Sequence, residues 1–195
     1  MEVELRQIDG NWDLGFVLHK HVLSSVHIGD GPTGRPQFDT VRSEPGEALF
    51  QLKYRQDFSR VAPLAAQLHT SIIPNFERVS FIVPMPASNV RARQPVHEIA
   101  RELGRLMGIP VFGNILMKGA APQGSPQLKN LSTKEEKVAA LVGRFSLNDE
   151  IQNEGRWNAL LVDDLYDSGA SMEAACAVLR GYSKINCLYT AALTW

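Results

Sequence analysis

Cysteine is nearly absent: Cys176 and Cys187 are the only two among 195 residues, and one pair can build neither a disulfide framework nor a four-ligand zinc site. Both are expected as buried packing residues. Long apolar runs are missing too. No stretch approaches the roughly 20 residues that span a bilayer, and Met1 to Asp13 alternates charged with apolar residues where a leader would be basic and then apolar. A cytoplasmic protein with no membrane partner is expected. Nor is there an excess of one charge. Lys plus Arg number 20 against 21 Asp plus Glu, a formal net charge of -1, so no global basic field indicates nucleic acid or an anionic membrane. Any polyanion must be gripped locally. The histidines, His19, His21, His27, His69 and His97, stand at no metal-ligand spacing. Met85, Met107, Met117 and Met172 fit best as core filler.

What is present suits one globular domain: 44% of positions are apolar and 21% charged, enough to bury a sizeable core. A single domain over 1–195 is expected, with 1–43 an N-terminal hairpin or hood region within it. There Leu14, Phe16, Val17, Val22, Leu23, Val26 and Ile28 are mixed with His and Ser, which reads as short strands in a hairpin. Helices are expected from Pro45 through Tyr54 and from about Phe58 to Thr70, the second with Val61, Leu64, Ala65 and Leu68 on one face. Short apolar runs then alternate with helical windows: Val79 to Val83, a helix over Val96 to Met107, mostly strand over Ile109 to Met117, and a helix around Thr133 to Leu141. Next come the run Ala159 to Val162, a helix from Ala170 to about Tyr182, and a final run Ile185 to Leu193. This alternation indicates an α/β fold, a mostly parallel sheet flanked by helices. Ligands of such sheets bind beyond the carboxyl ends of the strands.

One segment has that position and a chemistry to match. Ala159 to Val162 runs into Asp163 and Asp164, then Leu165, Tyr166, Asp167, Ser168, Gly169, Ala170 and Ser171 at a helix start. A strand emptying into a small-residue loop lets backbone N–H groups converge on an anion, and the helix adds its positive end. The two adjacent acids would point to opposite sides of a continuing strand, which disfavours a shared acid/base role. They suit vicinal hydroxyls, or a magnesium ion held through water. The bland alternative is a solvated turn with Ser168 or Ser171 capping the helix.

The segment Leu160 to Ser171 closely resembles the phosphoribosyl-pyrophosphate signature of type I phosphoribosyltransferases: apolar strand, two acids, two mostly apolar residues, then a phosphate loop. The resemblance implies that fold, with a small N-terminal β-containing hood. It implies that Asp163 and Asp164 bind the ribose hydroxyls and magnesium, and that Asp167, Ser168, Gly169, Ala170 and Ser171 surround the 5-phosphate. Tyr166 stands where an aliphatic residue is usual. Asp167 stands where some purine-salvage members carry a proposed general base and many others carry threonine; a loop-stabilising or capping role is equally open.

A second segment, Ser80 to Asn89, is an apolar strand running into Pro84-Met85-Pro86-Ala87-Ser88-Asn89, followed by Arg91 and Arg93. It resembles the pyrophosphate loop of the ComF-type, competence-associated branch, which implies that Ser88, Asn89, Arg91 and Arg93 face pyrophosphate. Gln94-Pro95-Val96-His97 replaces that branch's Gly-Phe-Asn-Gln run. Lys118, a further catalytic candidate, opens the turn-rich stretch Gly119 to Asn130, which resembles the family's closing flap. Gln127, Leu131, Lys137, Gly143 and Phe145 loosely follow the branch, although Lys134 to Lys137 alone fits a solvated helix face. Leu52-Lys53-Tyr54 resembles another element of the branch, while its cysteine-rich zinc ribbon has no counterpart before Ala48. Together these imply an enzyme of nucleotide metabolism that transfers a phosphoribosyl group from 5-phosphoribosyl 1-pyrophosphate, with magnesium, to an unidentified base or amine. A homodimer is compatible with that reading. The alternative is a regulatory protein that senses the same donor without turning it over.

Overall fold

The computed structural model describes residues 1–87, 91–120, 124 and 130–195. Ser88, Asn89, Gln127 and most of the flap expected between Gly119 and Asn130 lie outside the described residues. Among those described, no helix is long and apolar enough to cross a membrane.

The core is a five-stranded sheet of β1 (Arg6–Gln7), β2 (Leu14–His19), β9 (Ile185–Thr194), β8 (Trp157–Leu165) and β5 (Phe81–Pro84), in that spatial order. β1 runs antiparallel to β2; every other pairing is parallel. This is the mostly parallel sheet that the alternation of apolar runs and helical windows predicts. Inner strands of such a sheet are covered on both faces and so carry unbroken apolar runs. In β8, Ala159, Leu160, Leu161 and Val162 are all at most 1% exposed. Alternate residues supply two cores. Leu160 and Val162 pack with α1 (Glu44–Arg55), α2 (Val61–Ser71) and α3 (Pro95–Met107), whereas Ala159 and Leu161 pack with α5 (Ala170–Leu179) and the small ladder β6 (Leu116–Lys118) and β7 (Phe145–Leu147).

Local chemistry sets several boundaries. Ser43 caps α1, its Oγ accepting from Gly46 N at 3.0 Å, with Pro45 in the first turn. α3 begins at Pro95 and ends against Gly108, whose φ of 66° lies in the left-handed region. α4 (Lys134–Ala139) starts with a full capping box between Thr133 and Glu136.

Three expectations change. The N-terminal hairpin is confined to β3 (Val22–Asp30) and β4 (Pro36–Arg42), because Leu14–His19 pairs with β9 in the main sheet. Ile109 to Met117 is not one strand: a single bridge joins Val111 to Ile82, and a turn around Gly113 and Asn114, the latter bonded to Glu150, separates it from β6. The last helix stops at Leu179, before Tyr182. The β3–β4 hairpin leaves the sheet after His19, level with Thr194 and so with Leu165, on the edge where β8 ends. Its apolar side chains remain largely exposed, Val26 at 60% and Ile28 at 62%.

Candidate functional site

A cavity of about 330 Å³ opens beyond the carboxyl ends of β5 and β8. Asp163, Asp164, Asp167, Ser168, Gly169, Ala170, Ser171, Arg91 and Lys118 all line it. Arg93 does not. Its guanidinium lies 3.7 Å from the Phe58 ring centroid and 2.7 Å from Glu98, on an outer groove. A guanidinium gains both from an aromatic face and from a carboxylate, and both partners lie on that side.

The acids sit on the last residues of β8, which continues to Leu165. Asp164 Oδ2 meets Lys53 Nζ of α1 at 2.9 Å. Asp163 Oδ1 accepts from the Asp164 N–H at 2.7 Å. Burial, and then the charge of Asp164, push the Asp163 carboxyl up to about 8, against that N–H and the cations Lys53 and Lys118. Burial also tends to lower the Lys53 pKa, but Asp164 outweighs it and the ammonium ends above its ordinary value. Lys118 is held low, by burial and then by Arg144, with Asp163 opposing. The site therefore sets a carboxyl that burial makes readily protonated beside a carboxylate paired with Lys53, with Lys118 lining the same cavity.

A stability test follows. A carboxyl raised in the folded state binds a proton that the unfolded chain has released, so its contribution is complete below about pH 4 and is lost as pH rises through about 8. Asp163→Asn cannot ionise. Its melting temperature relative to the parent should rise by at least about 10 °C between pH 4 and pH 9. A difference constant with pH would show that Asp163 ionises normally.

The turn from β8 to α5 is built for close approach. Gly169, the residue before the helix, has φ 80° and ψ -11° with no side-chain cap. A Cβ there would stand 2.7 Å from Tyr166 Oη, so glycine is required both by conformation and by space. Tyr166, in the position where the family pattern is aliphatic, meets Trp12 edge-on at 6.3 Å and walls this side of the loop. The bland alternative, a helix capped by Ser168, has only a weak contact behind it: the Ser168 Oγ lies 3.5 Å from Ala170 N. Glu173 N closes the first turn onto Gly169 O. Among the described residues no acceptor meets the N–H groups of Asp167, Ser168, Gly169, Ser171 or Met172. Such donors at a helix start attract an anion.

Two lining residues carry more than the sequence suggests. Lys137, on what reads as a solvated helix face, is only 16% exposed and pairs with Asp167. Lys134 binds Glu173 of α5 at 2.6 Å, which brings α4 onto the loop. Lys53, visible in sequence only as part of Leu52-Lys53-Tyr54, is the direct partner of the acid pair. Arg91 also braces α1: its Nη1 donates to the Lys53 carbonyl at 3.0 Å.

No family model and no curated protein sequence matches this chain. Solved structures do. The chain is similar to adenine phosphoribosyltransferase from Saccharomyces cerevisiae, complexed with adenine and D-2,5-dideoxy-2,5-imino-altritol 1,6-bisphosphate. The identity is 15% over 88% of this chain and 85% of that one, with a TM-score of 0.44. It is also similar to the Leishmania tarentolae enzyme of the same name, at 9% identity over 98% and 94% of the two chains and a TM-score of 0.46. For the Leishmania donovani enzyme the corresponding values are 8%, 98%, 86% and 0.39.

The donor set limits what metal the site can hold. Among the described residues no three His, Cys, Asp or Glu side chains cluster as a metal site. Asp163 and Asp164 remain, and Lys53 already neutralises one of them. A resident divalent ion does not fit; an ion sharing the oxygens of a bound phosphate ester would.

Proposed function

We propose that this chain is a type I phosphoribosyltransferase of the ComF-type branch. It would bind 5-phosphoribosyl 1-pyrophosphate, with magnesium entering as the donor's own counter-ion, and transfer the phosphoribosyl group to a nitrogen acceptor in the cytoplasm. The observation that carries this reading is the pairing, within one cavity, of a loop at 167–172 whose N–H groups, Ala170 apart, meet no acceptor among the described residues with two carboxyl groups at the end of β8. Spacing supports it. A sugar phosphate offers an anion at one end and vicinal hydroxyls a few bonds away. Asp163 and Asp164 accept from the hydroxyls, and the loop donates to the 5-phosphate.

Reaction breaks the bond between the anomeric carbon and the pyrophosphate oxygen, and the electron pair leaves with pyrophosphate. The acceptor nitrogen forms the new bond with its lone pair and then loses a proton. Lys118 and Arg91 line the cavity and supply positive charge toward the departing group. Removing one donor aimed at developing charge costs about 2.7 to 4 kcal/mol in comparable sites. Asp167, paired with Lys137, lines the same cavity and would take the acceptor's proton.

The test is release of pyrophosphate from the donor with purine bases, pyrimidine bases and simple amines in turn. At least one acceptor should accelerate release above the rate in water. Tight donor binding with no release from any acceptor would instead favour a donor-sensing regulatory protein.

A further inference from the structure

We propose that Lys53 is the built-in counter-cation of the acid pair: it fixes Asp164 for the hydroxyls of a ligand and keeps a free divalent ion off the two carboxylates, so that metal enters only with a phosphorylated ligand. The ligand half of this statement rests on the sugar-phosphate reading above; the metal half does not.

The geometry is that of a placed cation. Lys53 Nζ stands 2.9 Å from Asp164 Oδ2, with the two side chains only 24% and 16% exposed. At that depth, salt screens the pair poorly. Lysine normally spends much of its rotamer freedom to make such a contact. Here the backbone behind it is held twice. Leu49 and Leu52 of α1 are each 1% exposed in the core, and Arg91 donates to the Lys53 carbonyl at 3.0 Å. Asp163 lies close enough to act on the same ammonium.

Two neighbouring carboxylates at a strand end, without a cation, would attract a divalent ion from solution. With the ammonium in place, a metal approaching Asp164 meets a like charge that helix packing prevents from retreating. Loss of one partner would leave the other charge partly buried and uncompensated. A ligand that brings phosphate oxygens changes this balance, because it supplies both coordination and negative charge.

The probe is Mn2+ alone, titrated against the full chain with the free ion followed by electron paramagnetic resonance. The parent protein should show no binding tighter than about 1 mM, and Lys53→Met should bind Mn2+ at least about tenfold more tightly. Lys53→Arg, which restores the charge, should return to the parental value. In the same proteins, calorimetry with 5-phosphoribosyl 1-pyrophosphate and magnesium should show about tenfold weaker binding in Lys53→Met and partial recovery in Lys53→Arg. A purely structural lysine would leave metal affinity untouched, so a folded Lys53→Met with parental Mn2+ affinity overturns the inference. So does parental protein that binds Mn2+ alone more tightly than about 1 mM, a result that needs no variant. If the Mn2+ pattern holds while no protein binds the donor, the counter-cation stands and the sugar-phosphate reading falls. Normal donor binding with an unmoved Mn2+ affinity gives the reverse.

Discussion

Asp163→Asn combined with Asp164→Asn should remove binding of 5-phosphoribosyl 1-pyrophosphate while the protein stays folded. A ligand hydroxyl on the Asp164 carboxylate contributes about 1.5 to 3 kcal/mol and one on the Asp163 carboxyl about 0.5 to 1.5 kcal/mol, so losing both predicts about 10 to 10³-fold weaker binding. The fold should survive because the two changes act in opposite directions. Asp164→Asn strips Lys53 of its carboxylate partner, and Asp163→Asn removes a carboxyl that burial makes costly to ionise. Calorimetry on a double variant with a cooperative melting transition decides the matter. Unchanged affinity would remove both acids from the binding site.

Ser171→Asp should be nearly as damaging, and for a reason that separates binding from stability. Ser171 is the second residue of α5 and lines the cavity. A carboxylate in the first turn favours a helix by about 0.3 to 1 kcal/mol, so the melting temperature should hold or rise. The same carboxylate would stand at the loop assigned to the 5-phosphate. Like charges about 4 Å apart near a protein surface repel by about 4 kcal/mol, which predicts at least 10²-fold weaker donor binding. Ser171→Ala, which deletes only one hydroxyl, should cost less than about tenfold. Gly169 is a poorer probe, since its φ of 80° and its contact with Tyr166 would charge any side chain with misfolding as well. A Ser171→Asp protein that binds donor as tightly as its parent would place the phosphate elsewhere.

The part of this site that sequence reveals is the part built from contiguous residues. Strand, acids, loop and helix start follow one another from Ala159 to Ser171, so hydrophobic run and turn chemistry suffice to place them. Residues delivered from a distance are another matter. Lys53 reaches Asp164 only because the buried face of α1 fixes the rotation of that helix on the sheet. Lys137 has charged neighbours at helical spacing and reads as solvated until the Lys134 to Glu173 contact draws α4 onto α5. Arg93 fails in the opposite sense: proximity to a phosphate-like loop says nothing of which way a guanidinium turns, and Phe58 and Glu98 turn it outward.

The fold divides along the same line. Ala159 to Val162 and Ile185 to Leu193 are legible as buried parallel strands because they are apolar on both faces. Leu14–His19 is followed closely by another strand, which suggests a hairpin. Its parallel partner, β9, lies more than 170 residues away, and no local pattern encodes that pairing. The break in Ile109 to Met117 is marked in sequence by Gly113 and Asn114, a turn signal that the apolar residues around it obscure.

The most direct test of the account is the location of the donor itself, from a crystal of the full chain soaked with 5-phosphoribosyl 1-pyrophosphate and magnesium. The account predicts the 5-phosphate oxygens within hydrogen-bond reach of the N–H groups of Ser168, Gly169 and Ser171, and the ribose hydroxyls on Asp163 and Asp164. A donor bound outside this cavity, or one whose pyrophosphate rather than 5-phosphate fills the 167–171 loop, would contradict it.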